Sequence, residues 1–89
     1  MVTLNEILEI PQGEHEYRYP ITMRTNGIEE YTYTIEVKNK IDESVLLEKL
    51  ITYFEKEENK EKFVKLEKGK AVKIAYIMAV DVQYNPLPF

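Results

Sequence analysis

The sequence contains no cysteine, one histidine and three glycines among 89 residues. Without cysteine there are no disulfide bonds, thiolate nucleophiles or cysteine-ligated metals. The one histidine, His15, is flanked by Glu14 and Glu16, but consecutive residues of a strand point to opposite faces, so these side chains do not converge. The glycines are isolated from one another and form no phosphate-binding loop. We therefore expect a protein without enzyme activity, metal or cofactor, with His15 as a surface residue.

Long hydrophobic runs are also missing. The most apolar stretch, residues 71–82, is interrupted by Lys73 and Asp81 and is too short to span a bilayer as a helix. Residues 1–10 carry acidic rather than basic side chains, which does not fit a signal peptide. We expect no membrane association and a cytoplasmic location, in the host cell cytoplasm if the protein is viral.

The composition indicates a folded chain with unevenly distributed charge. Hydrophobic residues make up 44% and charged residues 31%, which is typical of a globular protein. The length predicts one domain over residues 1–89. The net charge is −4, yet residues 60–73 contain six lysines against Glu61 and Glu67. This segment is thus a basic region on an acidic chain.

Two helices are indicated by their start signals. Thr3 followed by Glu6 predicts a capping box, and Pro11 and Gly13 predict the end of a short first helix. Asp42 predicts the N-cap of the main helix, with Ser44 in its first turn. The apolar stripe expected on that helix consists of Val45, Leu46, Leu47, Leu50, Ile51 and Phe54.

Residues 15–37 predict a β-hairpin, because two alternating segments flank Asn26-Gly27. A three-residue loop, Thr25-Asn26-Gly27 with a left-handed Gly27, keeps one face apolar and pairs Tyr17 with Ile35, Tyr19 with Tyr33 and Ile21 with Tyr31. Pro20 has no amide donor, which predicts that the first strand lies at a sheet edge.

A short strand over residues 63–67, a turn at Lys68-Gly69-Lys70 and one long strand over residues 72–84 complete the pattern. On the long strand, Val72, Ile74, Tyr76, Met78, Val80 and Val82 share one face. We expect both faces of this strand to be covered. Residues 85–89, with two prolines, are expected to form an irregular tail.

The predicted fold is therefore a single small α+β domain of order α-β-β-α-β-β. The strands would form one four-stranded, mainly antiparallel sheet, with both helices packed on one face.

The function suggested by these features is a non-enzymatic binding module, a small accessory or regulatory protein of viral or mobile-element type. We expect it to act through protein–protein contacts, with a homodimer as one form of such contact, since isologous dimers are the commonest oligomers. The candidate contact residues lie on the last strand and the tail: Tyr76, Met78, Val80, Leu87 and Phe89.

The alternative is a single-strand nucleic-acid binder, in which a tyrosine face stacks bases and lysines contact phosphates. Its candidate residues are Tyr17, Tyr19, Tyr31, Tyr33, Lys65, Lys68, Lys70 and Lys73. This alternative requires exposed tyrosines on the same side as the lysines. The competing interpretation is that the tyrosines form the core under the helices, and it is the one we favour.

Overall fold

The computed structural model describes residues 1–11, 16–27 and 29–86, of which residues 85 and 86 are described by their backbone alone. His15, the predicted helix stop at Gly13 and the tail residues Leu87 and Phe89 lie outside the described residues. The elements are β1 (Val2–Thr3), α1 (Leu4–Leu8), β2 (Tyr17–Thr25), β3 (Glu30–Val37), α2 (Glu43–Glu55), β4 (Phe63–Lys65), β5 (Ala71–Lys73), β6 (Ile77–Val82) and β7 (Asn85–Pro86). Two short 3-10 turns, Glu57–Asn59 and Ile74–Tyr76, follow α2 and β5.

The α+β class with two helices is confirmed, but the single four-stranded sheet is wrong. A small sheet has the order β1-β4-β5, and a larger sheet has the order β3-β2-β6, with β7 also pairing with β2. The order α-β-β-α-β-β is also inexact, because β1 precedes α1 and the last predicted strand is divided. Two sheets form because residues 71–82 contribute β5 to one sheet and β6 to the other.

The sequence predicted no strand before α1, and the first turn of this helix explains why. The Thr3 side chain accepts a hydrogen bond from the Glu6 amide, and Glu6 accepts one from the Thr3 amide, so the capping box is confirmed. An N-cap residue has extended backbone angles, and Thr3 has φ −102° and ψ 161°. Thr3 therefore also pairs in parallel with Lys65, next to the Val2–Val64 pair. The helix ends at Glu9, whose φ of 59° is left-handed.

The predicted cap of α2 is confirmed. Asp42 Oδ1 accepts hydrogen bonds from the Ser44 amide at 2.9 Å and the Ser44 hydroxyl at 2.7 Å. Both bonds favour the charged carboxylate and lower the pKa of Asp42. The bond from the Ser44 side chain has the larger effect and the bond from the Ser44 backbone the smaller one. At the other end, buried Asn59 donates to the Tyr53 carbonyl at 2.8 Å and satisfies one of the last helix carbonyls.

The apolar stripe of α2 is narrower than predicted. Leu46, Leu50 and Phe54 are buried at four-residue spacing. Val45 and Ile51 are 46% and 41% exposed, so they lie beside the stripe rather than within it.

The hairpin forms with a shifted register. Tyr17 pairs with Val37, Tyr19 with Ile35 and Ile21 with Tyr33, each partner two residues beyond the predicted one. Gly27 does not adopt the left-handed conformation. Because side chains alternate with a period of two, a two-residue shift keeps the same residues on the same face. The predicted apolar face is thus present with different pairs.

The prediction that β2 is an edge strand is wrong, since β3 lies on one side and β6 and β7 lie on the other. The Gln83 amide donates to the Pro20 carbonyl at 3.0 Å, so Pro20 directs its backbone polar groups toward the β6 side. Its missing amide falls between the β6 pairing, which reaches Ile21, and the β7 pairing, which begins at Arg18. A central strand therefore tolerates proline where its neighbour is interrupted.

The long strand predicted over residues 72–84 is also wrong. After β5 the chain makes the Ile74–Tyr76 turn and then continues as β6. Val72 and Ile74 are buried, whereas Tyr76 and Met78 are 50% and 69% exposed. The predicted apolar face is therefore not continuous. Residues 85 and 86, expected to be irregular, pair with β2 as β7.

One hydrophobic core joins both sheets and both helices. The inner face of the β2–β3 hairpin packs with Leu46, Leu50 and Phe54 of α2 and with Leu4, Ile7 and Leu8 of α1. Val64, Val72 and Ile74 extend this core under the small sheet. The opposite face of the hairpin is polar and carries the cross-strand pairs Arg18–Glu36, Thr22–Thr32 and Arg24–Glu30.

Candidate functional site

β6 forms one edge of the larger sheet and carries Met78, which among the described residues is the most exposed large apolar side chain after Met1. Met78 is 69% exposed, and Tyr76, just before the strand, is 50% exposed. Val80 is half-buried on the same strand, and Ile51 of α2 is 41% exposed. We call these four residues, Ile51, Tyr76, Met78 and Val80, the β6 surface.

A β-bulge exposes Met78. Ala79 pairs with Arg24 and Ile77 pairs with Thr25, so Met78 is the extra residue opposite the Arg24–Thr25 step. A bulge bends its strand and changes the direction of a side chain. Just before it, the Asn26 amide donates to the Tyr76 carbonyl at 3.0 Å and ties the 3-10 turn to the hairpin loop.

The backbone of β6 offers polar groups along its free side. Because Gln83 donates toward β2, alternation directs the amide and carbonyl groups of Asp81 to β2 and those of Val80 and Val82 away from it. Within the described ranges, no strand pairs with this second side of β6. An edge of this kind is a template for a further strand.

A shallow groove of about 250 Å³ runs between α2 and β6. Its lining includes the buried Phe54 and Ile74, the half-buried Ile77 and the more exposed Ile51 and Met78. Glu55 and Lys60 also line it, so the groove carries one charge of each sign.

The structure therefore brings together Tyr76, Met78 and Val80, the three described members of the predicted contact set. Leu87 and Phe89 lie outside the described residues. Sequence reasoning missed Ile51, because it fitted the helical stripe and was assigned to the core. Ile51 lies three residues from Phe54 and four from Leu47, so its spacing fits the buried face and gives no signal of its exposure.

The four hairpin tyrosines are on the inner face of the larger sheet. Tyr19 is fully buried, so it has no face for a base to stack on. Tyr17, Tyr31 and Tyr33 are half-buried against the core. Sequence reasoning missed Tyr84, whose ring lies 5.4 Å from that of Tyr19 and 6.3 Å from that of Tyr17. The Lys40 ammonium is 4.8 Å from the Tyr84 ring centre.

The lysines of the alternative site lie elsewhere, on the small sheet and its turn. Lys65 and Lys73 are on β4 and β5, and Lys68 and Lys70 flank Gly69 in the connecting turn. The structure thus does not place these lysines on one face with the tyrosines. Lys73 forms an ion pair with Glu61 at 2.9 Å. The hydrogen bond to the Glu61 side chain raises the pKa of Lys73, and desolvation lowers it by a smaller amount.

The groups whose pKa is shifted in the described part of the chain do not cluster into a site. A hydrogen bond at 3.0 Å to Glu29, assisted by some desolvation, raises the pKa of Tyr31. This residue, Asp42 and Lys73 lie apart from one another and surround no common pocket. Across residues 1–11, 16–27 and 29–86, no three acidic, histidine or cysteine side chains are placed to hold a metal ion.

None of the helices in the described ranges is both long enough and apolar enough to cross a membrane. No protein-family model, no curated protein and no solved structure matches the chain.

Proposed function

We propose that this protein is a protein-interaction module that pairs with a second copy of itself along β6. The observation that carries the proposal is the free side of β6, where outward backbone groups at Val80 and Val82 adjoin Met78, which is 69% exposed. Strand addition at such an edge forms main-chain hydrogen bonds, and side chains beside the strand supply specificity. A cytoplasmic accessory or regulatory role, of viral or mobile-element type, is part of the same proposal.

A second copy fits this edge better than a strongly charged peptide does. The groove beside β6 holds Glu55 and Lys60, which are opposite in sign. In a two-fold arrangement the same patch faces itself, so an acid of one copy can meet a base of the other. A peptide of one charge sign would instead meet a like charge at one of the two residues.

Light scattering after size exclusion, at protein concentrations that differ about a hundredfold, tests the proposal. We expect a dimer that Met78→Lys converts to a monomer, because a charge on an edge strand opposes strand pairing. Val45→Lys is the matched control, since Val45 is 46% exposed but lines a different groove, between α1 and α2, away from β6. A monomer at every concentration, or a dimer equally sensitive to both variants, would contradict the proposal.

Amide hydrogen exchange locates the contact. On dimerisation, the amides of Val80 and Val82 should become protected, whereas that of Asp81 is already bonded toward β2 and should change little. Protection confined to other elements would place the interface elsewhere and reject the β6 surface.

A further inference from the structure

The outward face of the β4–β5 hairpin combines lysines with an exposed aromatic ring. Phe63 pairs with Lys73 and Lys65 pairs with Ala71, so these four side chains share one face, opposite the buried Val64–Val72 pair. The turn beyond them contains Lys68 and Lys70, both exposed. We call the set Phe63, Lys65, Lys68, Lys70 and Lys73 the lysine face.

The positive charge of this face is mostly available to a ligand. Lys73 is paired with Glu61 at 2.9 Å. Among the described residues, no carboxylate lies within ion-pair distance of Lys65, Lys68 or Lys70. Glu67 is the one acid between Lys65 and Lys70 in the sequence. The face therefore has a net positive charge although the chain carries −4.

Phe63 adds an exposed aromatic ring to this face, which attraction of negative charge alone would not require. Its side chain is 44% exposed, in the direct cross-strand position to Lys73. The Lys73 ammonium lies 5.5 Å from the ring centre of Tyr76, which is also half exposed. Exposed aromatic rings among lysines offer a base a surface on which to stack, with cations nearby for its phosphates.

We propose that the lysine face binds single-stranded nucleic acid without sequence preference. Lys65, Lys68 and Lys70 contact phosphates, and Phe63 stacks on a base. A duplex keeps its base faces stacked inside, so it can use the lysines but not the Phe63 ring. The face contains no arginine to read base edges with two parallel hydrogen bonds. Phe63, Lys65, Lys68 and Lys70 all lie outside the β6 surface, so this binding does not require the proposed pairing along β6.

Three phosphate contacts predict a moderate dependence on salt. For single strands the logarithm of the binding constant falls with slope of about −0.7 per contact, which gives a slope of about −2. Fluorescence anisotropy of a labelled thymidine 20-mer, at about 50 mM salt and above, measures this slope directly. The same strand annealed to its complement is the duplex comparison.

Phe63→Leu and Phe63→Tyr separate stacking from charge. Leucine keeps an apolar side chain but has no aromatic ring, so we expect affinity for the single strand to fall at least about fivefold. Tyrosine keeps the ring and should retain affinity. Neither change should alter duplex binding, and circular dichroism checks that both variants are folded.

The lysines are tested by Lys65→Gln with Lys70→Gln, against the control pair Lys38→Gln with Lys49→Gln, which are exposed elsewhere. The first pair should lower affinity at least about tenfold and reduce the salt slope by about 1.4, since two phosphate contacts are lost. The control pair leaves the slope unchanged.

Three results would overturn the proposal. The first is equal affinity for the single strand and the duplex, the second is an unchanged affinity in Phe63→Leu, and the third is an equal effect of the two lysine pairs. Each would indicate that the protein binds polyanions without using the Phe63 ring or this set of lysines. The wild-type chain and Met78→Lys are measured in parallel. Loss of dimerisation without loss of oligonucleotide binding at matched site concentration would support the independence of the two surfaces, and joint loss would contradict it.

Discussion

Tyr19 links the middle of β2 to the segment that precedes α2. Its hydroxyl donates to the Ile41 carbonyl and accepts the Ile41 amide at 2.8 Å, while its ring is fully buried. Both polar groups of one backbone residue are therefore satisfied by a single side chain. This contact explains the choice of tyrosine over phenylalanine at this core position.

We predict that Tyr19→Phe destabilises the protein by about 1–3 kcal/mol. The substitution keeps the ring but leaves the Ile41 amide and carbonyl without their partner, and a partly buried unpaired group costs roughly that much. Urea unfolding monitored by circular dichroism measures the change. The control is Tyr33→Phe, for which the described part of the chain offers no hydroxyl hydrogen bond and which should change stability by less than about 0.5 kcal/mol. Equal effects would show that the hydroxyl of Tyr19 is not the cause.

The sequence predicted contacts between residues that are close in the chain and missed contacts between residues that are far apart in it. The caps at Thr3 and Asp42 depend on residues two or three positions away, and both were predicted correctly. The Tyr19–Ile41 contact joins residues 22 positions apart. No local pattern distinguishes a tyrosine with such a partner from one that presents its ring to solvent.

Among the elements, the β4–β5 hairpin depends on its turn. Gly69 has a φ of 83°, and Lys70 completes the turn by donating to the Glu67 carbonyl at 2.9 Å. The Leu66 amide in turn donates to the Lys70 carbonyl at 3.1 Å. No atom lies within 4 Å of the position a Cβ would occupy at Gly69, so only backbone strain opposes a side chain there.

We predict that Gly69→Ala destabilises the protein by about 1–2 kcal/mol, the cost of a left-handed conformation for a residue with a Cβ. Gly69→Asn should cost less, because asparagine tolerates this conformation better. Gly27→Ala is the control, since Gly27 is not left-handed and its nearest contact would be Thr25 at 3.8 Å. Thermal unfolding orders the three variants, and equal losses at Gly69 and Gly27 would contradict the strain argument.

Element types were predicted better than element extents. Residues 71–82 alternate in a way that suits one strand, and Tyr76 and Met78 are apolar enough for a buried face. Composition cannot show that the chain leaves one sheet at Lys73 and enters another at Ile77. The hairpin register failed for a related reason, since a shift of two residues preserves the face on which the prediction rests.

At the scale of the whole molecule, α2 connects the two sheets through the core. Leu50 is fully buried and belongs to the same cluster as Ile21 of the larger sheet and Val64 of the small one. Neither sheet encloses a separate core, so we expect both to unfold together.

We predict that Leu50→Ala destabilises the protein by about 2–5 kcal/mol, through lost burial and the cavity it leaves. Hydrogen exchange should show that amides of the β2–β3 hairpin and of the β4–β5 hairpin lose protection by the same amount. Val45→Ala, at a position of the same helix that is 46% exposed and lies outside the β6 surface, is the control and should have a much smaller effect. Loss of protection in one hairpin alone would show that the sheets are separate cooperative units.

The candidate sites reflect the same division between local and distant information. Tyr76, Met78 and Val80 were recognisable as apolar side chains in need of a partner, but only the strand order shows that β6 is an edge. Phe63 gave no signal in the sequence, because an apolar residue at the start of a strand is usually buried. Its cross-strand position relative to Lys73 places it on the outer face.

The route of residues 71–82 through both sheets also sets the order of events during synthesis. The small sheet needs β5, which ends at Lys73, and the larger sheet needs β6, which ends at Val82. A ribosome that has translated β1 through α2 therefore holds a chain with a hairpin and two helices but neither complete sheet. Val2 cannot pair before Val64 has been made, and Tyr17, which already has Val37 on one side, gains its second neighbour only with Pro86, so both sheets are completed only by segments that follow α2.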